Sequence, residues 1–211
     1  MNVTDPSQFK APRIAFSDIR SRADNFRNKY WGSKDVPVDI LLIAEEKLNI
    51  EFVPIVNFKT NNDFEALLFD HGTKLAIDEK EYMDDRYLNR VRFSVAHEIA
   101  HIVLHKDLYD SFSFDTVDEW MDTLEALPDD EYNWIEQQAN EFAGRLLIPQ
   151  NRLEQLLKEI QPQIKLYKSK FPESDPNQLK EYVSSNLCKV FGVSGSVLAR
   201  RIDKENLGSY L

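Results

Sequence analysis

An α+β fold is expected for this chain, and three observations lead to it. Apolar residues recur at helical spacing near both ends. The period falls to two between residues 51 and 78. Helical spacing then returns in a histidine-rich run. The expected sheet is small and antiparallel, and everything beyond residue 150 is expected to be helical.

Residues 1 to 12, MNVTDPSQFKAP, form a polar lead-in without an apolar leader run, so the chain reads as cytoplasmic. FSDIRSRADNFRNKYW spaces Phe16, Ile19, Ala23, Phe26 and Tyr30 in steps of three and four, which predicts a helix. VPVDILLIAEEKLNI is expected as a second helix, with Pro37 in its first turn, where a missing N–H costs nothing. IEFVPIVNF is apolar and β-rich. DFEALLFDHGTKLAID reads as two short strands around an Asp-His-Gly turn. Leu75 and Ile77 alternate there with Lys74 and Ala76, as on a half-exposed sheet.

Helical spacing resumes at Asp84 and holds to His105. The acidic stretch from Asp107 to Trp134 reads as a solvated loop with short helical pieces, and it lacks the spacing of a calcium loop. YNWIEQQANEFAGRLLIP is the next helix and stops near Pro149. Pro172 and Pro176 mark a break. The chain then closes with QLKEYVSSNLCKVFGVSGSVLARRI, two helices joined by FGVSG in a helix-turn-helix shape, with Ser194 capping the second.

Composition removes several classes of function. With 36 acidic against 26 basic residues the net charge is −10, so direct nucleic-acid binding, which needs a basic face, is not expected. Arg200 and Arg201 on the last helix would suit a DNA-reading helix, but the acidic balance favours a hairpin that packs on the core or grips a protein. The single cysteine, Cys188, excludes an intrachain disulfide and a cysteine-based zinc site. No stretch reaches the length of a membrane span.

AHEIAHIVLH, residues 96 to 105, holds three of the four histidines. His97, Glu98 and His101 make HExxH. On a helix, positions i and i+4 point about 40° apart, so both imidazoles reach one ion. Glu98 leaves the helix about 100° from His97, where a general base for metal-assisted hydrolysis belongs. The competing reading is a His-rich core helix. The motif lies between RVRFSVA and IVL, with Phe93, Ala96, Ala100 and Leu104 on the histidines' side. Polar groups on such a face need partners, and an ion satisfies both histidines at once. His105 lies about 12 Å from His97 along a straight helix, too far to share the ion, and is expected behind the ligands or at the helix end.

Twelve acidic residues lie between Asp107 and Glu141, so nearness alone does not select a third ligand. Helical direction does. With Glu136 set at 0°, Ala143, Leu147 and Ala139 fall within about 60° of it, whereas Glu141 falls at about 140°. Glu136 therefore shares the apolar stripe, where a carboxylate is unusual unless paired or bound to metal. Asn140, one turn on, can brace a histidine of the site. His97, His101 and Glu136 make a His₂Glu set with an open fourth position, suited to Zn²⁺ and acceptable to Mn²⁺ or Co²⁺.

At these residues the chain resembles the ImmA/IrrE family of zinc-dependent metallo-endopeptidases. RVRFSVAHEIAHIVLH (90–105) and EQQANEFAGRLLIP (136–149) carry the resemblance, and FGVSGSVLARRI is a weaker echo. The resemblance implies His97 and His101 as zinc ligands, Glu98 as general acid/base and Glu136 as third ligand. It implies a zincin-like catalytic core with an active-site helix, followed by a helical C-terminal region. The chain then divides into a lead-in and helix (1–34), the metallopeptidase core (35–149) and a helical region with the hairpin (150–211). It also implies a substrate: a helix-turn-helix repressor, cleaved to release stress-response, mobile-element or toxin–antitoxin-type genes. His71, His105 and Tyr132 are candidate oxyanion donors by type. The strand at LLFDHG can hold an extended substrate by edge pairing. A metal-bound sensor that does not cleave and a DNA-binding regulator are the alternatives.

Overall fold

The structure, a computed structural model, describes residues 5–32, 35–62, 65–112 and 116–211. Parts of four expectations lie outside the described residues: the first four of the lead-in, residues 33 and 34 at the first boundary, the start of the strand pair at 63–64, and 113–115 of the acidic stretch. In chain order the main elements are α1 (Phe16–Tyr30), α2 (Ile40–Leu42, running on as a π-turn Ile43–Lys47), β1 (Glu51–Ile55), α3 (Phe58–Asn62), β2 (Ala66–Phe69), β3 (Lys74–Asp78), α4 (Glu79–Tyr82), α5 (Leu88–Leu104), α6 (Lys106–Ser111), α7 (Val117–Glu125), α8 (Asp129–Leu147), α9 (Gln150–Glu159), α10 (Gln161–Lys170), α11 (Pro176–Phe191) and α12 (Gly195–Lys204).

The fold is α+β, with a small sheet and a helical C-terminal region. The sheet order is β1-β3-β2. β2 and β3 pair antiparallel around the Asp70–Gly72 turn, with Leu68 opposite Leu75. β1 pairs parallel to β3, with Phe52 opposite Leu75, so the sheet is mixed and not antiparallel throughout. The chain leaves β1 through α3 before it reaches the hairpin, and such a crossover is what a parallel pair requires. β3 is the central strand. Leu75, Ala76 and Ile77 are at most 1% exposed, so the half-exposed strand expected from the alternation is instead buried, with α3 and α4 packed against it.

α2 also differs from expectation. Asp39 caps it by accepting the Leu42 N–H at 3.2 Å, which starts the helix at Ile40 and leaves Pro37 ahead of the cap. The acidic stretch is more ordered than the loop expected. It folds into α6 and α7, which bury Leu108, Tyr109 and Trp120. α7 opens with a Thr116–Glu119 capping box, and Val117, Trp120, Met121 and Leu124 share one face of it. The acids occupy the other face, and for that reason composition alone hid the helix.

α5 and α8 pack on each other at the centre, with α1 against α8 and β2 against α5. α11 and α12 form the expected hairpin. Gly192 ends α11 at φ 61°, and Ser194 caps α12 by accepting the Val197 N–H. Arg92 of α5 donates to the carbonyls of Gly192 (3.0 Å) and Val38, tying this turn to the active helix pair. Arg201 is 3% exposed. It pairs with Glu141 at 2.8 Å and with Glu205, while Arg20 and Arg145 bind the same two carboxylates from α1 and α8. The hairpin thus packs on the core through Arg201, which is not available to nucleic acid. No described helix is long and apolar enough to cross a membrane.

Candidate metal centre

α5 and α8 bring the expected site residues to one place. His97 Nε2 and His101 Nε2 lie 3.1 Å apart. Glu136 reaches across from α8, with one carboxylate oxygen 3.1 Å from His97 Nε2 and the other 3.4 Å from His101 Nε2. Zinc bonds of about 2.0–2.1 Å in a tetrahedron set ligand atoms about 3.3 Å apart. The printed separations match that spacing, with each carboxylate oxygen of Glu136 facing one imidazole. Glu98 also falls in this cluster: ligand atoms of His97, Glu98 and His101 lie within 4.8 Å of one another. Glu136 is the alternative third carboxylate. It approaches both imidazoles at tetrahedral spacing, whereas Glu98 Oε2 is engaged by the Leu68 N–H of β2 at 2.9 Å.

The electrostatics follow from this closeness. Burial disfavours a charged His97, but the hydrogen bond and charge of Glu136 outweigh it and raise the imidazole to about 9, with smaller help from Glu98 and Asn140. Burial pushes Glu136 up, but both histidines pull it well below the ordinary carboxylate range. Burial pushes Glu98 up, against the pull of His101, His97 and the Leu68 N–H. A buried carboxyl raised in this way is suited to take up and return a proton.

Behind the histidines lies a supporting chain. His101 Nδ1 is 3.0 Å from His105 Nδ1. With Nε2 given to an ion, Nδ1 of His101 would carry the hydrogen and donate to His105. His105 then holds its own hydrogen on Nε2. His105 is fully buried, and burial followed by the nearby His101 charge lowers it to about 3, so it stays neutral. Gln138 of α8 is its polar neighbour. The buried His105 Nε2 and Gln138 Oε1 each lack a hydrogen-bond partner among the described residues. Gln138 in turn donates to the Pro12 carbonyl at 2.8 Å, which fixes its amide.

His105 is both the last cap of α5 and the residue behind His101, as the spacing suggested. Asn140 lies beside His97, although its amide also donates to the Glu136 carbonyl at 2.8 Å. Tyr132, one turn before Glu136, lines the site. Burial, then Glu136 and Glu98, push its hydroxyl up, so it remains a donor. His71 does not reach the site: it is exposed in the β2–β3 turn. Sequence reasoning missed Leu68, Gln138, Tyr109 and Trp120. Leu68 contributes only its backbone, and the other three carry no spacing signal.

A family model described as IrrE N-terminal-like domain, Peptidase_M78, matches residues 84–203, from just before α5 to the last turn of α12. No curated protein matches the chain.

Proposed function

This chain belongs to the IrrE N-terminal-like family of metallopeptidases, Peptidase_M78, and from that premise we propose a zinc-dependent endopeptidase whose ion is held by His97, His101 and Glu136. The family implies a divalent metal, usually zinc, and the tetrahedral spacing of these three donors is the observation that carries the assignment. When bound, zinc supplies a Lewis acid that polarises the scissile carbonyl and makes water acidic near neutral pH. Glu98 is the general base in this reading. It takes a proton from the attacking water and returns it to the leaving amine. Its hold on the Leu68 N–H keeps it aimed between β2 and the histidines. Tyr132, kept protonated, donates to the developing oxyanion. His105 and Gln138 hold His101 in the required tautomer.

The edge strand supports a peptide substrate. In the β2–β3 register Leu68 directs its N–H away from β3 and toward Glu98, so the outward edge of β2 runs past the proposed base. The family resemblance points to a helix-turn-helix repressor in the cytoplasm as that substrate, with release of stress-response, mobile-element or toxin–antitoxin-type genes as the outcome. Burial of Arg201 weighs against a DNA-reading role for α12.

Metal analysis of purified wild type, Glu98→Gln and Glu136→Ala, with a candidate helix-turn-helix repressor incubated alongside each, tests the reading. About one zinc per chain is expected in the first two and little in the third, with repressor cleavage by wild type alone. Wild type that takes up no zinc when it is supplied would refute the assignment.

A further inference from the structure

Zinc chemistry on a peptide needs the peptide beside Glu98, and the structure leaves no room for one. The cavity in front of His97, Glu98 and His101 measures about 30 Å³, space for a water or two. Tyr109, Trp120, Leu124 and Tyr132 line it as well.

β2 makes the same point from the other side. It is an edge strand, yet all four of its residues, Ala66 to Phe69, are at most 8% exposed. An edge is normally left open or shielded by another element, and both α5 and α7 pack on β2. Among the described residues, no further strand pairs with β2.

α7 is built as a separable piece. Its Thr116–Glu119 capping box satisfies its own first turn. Its hold on the core is apolar, through Val117, Trp120, Met121 and Leu124, and the Trp120 ring lies 5.2 Å from that of Tyr109. Its outer face carries Asp118, Asp122 and Glu125, already in water. The chain is anchored on either side of it, by Phe112 against Phe9 and by buried Leu127 ahead of Pro128. Between these two anchors lie the nine residues of α7.

We infer that α7 is an autoinhibitory cover, seated by Trp120 over the outward edge of β2, which must lift before a peptide can pair there and reach Glu98. The inference rests on the peptidase reading. It also gives the acidic stretch between the two family blocks a role.

The test uses the full zinc-loaded chain and fluorescein-labelled β-casein, an unstructured probe that makes no specific contacts. Trp120→Ala and the milder Leu124→Ser both loosen the seat without touching the zinc ligands or Glu98. If the closed state dominates, cleavage rises about tenfold or more in both, in proportion to the open fraction, and adding Glu98→Gln abolishes the gain. Variants that keep zinc and a cooperative melt but cleave no faster than wild type overturn the cover. If Trp120→Ala does not melt cooperatively, Leu124→Ser decides. If no chain cleaves casein, wild type and variants alike, the cover is overturned, and the peptidase reading is judged apart on repressor cleavage by wild type.

Discussion

His97 and Glu136 hold each other's charge in the metal-free chain, and the pH dependence follows. His97 is raised from 6.5 to about 9, so its stabilising contribution is complete below 6.5 and is lost as pH rises through about 9. Glu136 is lowered from 4.5, so its contribution is present above 4.5 and is lost as pH falls through its depressed value. Zinc must displace the His97 proton. Apparent zinc affinity is therefore expected to climb about tenfold per pH unit toward pH 9 and then level off. Competition with a chelator between pH 6.5 and 9.5 measures this; an affinity already flat from neutral pH would contradict the pairing. Gln138→Leu removes the polar neighbour of His105 and loosens the support behind His101. Zinc affinity should fall about 10–100-fold with the fold intact, read by the same titration.

Elements meet the site through a few joints. The turn between α11 and α12 is the tightest. Gly192 adopts φ 61°, and a Cβ there would lie 2.7 Å from Arg92 Nε and 3.1 Å from Pro37 Cβ. Arg92 cannot yield, because it is bonded to the Gly192 and Val38 carbonyls. Gly192→Ala is expected to cost roughly 2–4 kcal/mol, from left-handed backbone strain plus the clash. A urea unfolding midpoint measures it. Zinc stoichiometry should not change, since the turn touches α5 at Arg92, more than a helical turn before His97. Unaltered stability would mean that Arg92 relaxes more readily than its bonds suggest.

The folded molecule as a whole is what presents three donors to one ion, so binding energy becomes folding energy. Zinc held at about 100 times its Kd should add roughly 2.7 kcal/mol to stability. For a chain of this size that is a rise of about 5–10 °C in melting temperature. His101→Ala should abolish the rise while the protein still melts cooperatively, as followed by calorimetry. A rise of equal size in that variant would place the ion elsewhere. The buried Arg20, Arg145 and Arg201 network with Glu141 and Glu205 joins α1, α8 and α12, so the N-terminal helix and the hairpin form part of the frame that sets the α5–α8 spacing.

The helical period was enough to put His97 and His101 on one side of α5 and Glu136 on the apolar stripe of α8, because a fixed turn of 100° per residue converts spacing into direction without reference to the rest of the chain. Ser194 as a cap and FGVSG as a turn were legible for the same local reason. The stripe argument reached its limit at Glu141. That residue lies on the far side of α8 from Glu136, yet it is 5% exposed, because helices pack around most of α8 and Arg201, 60 residues later, supplies its charge partner. The parallel pairing of β1, the Leu68 N–H on Glu98, the His101–His105–Gln138 chain and the seat of Trp120 over β2 all join residues distant in sequence or depend on which strand lies at an edge. Local propensity and period carry no information about such closures. They are settled when the whole chain packs, and they decide whether the space beside His97, Glu98 and His101 is open to a substrate.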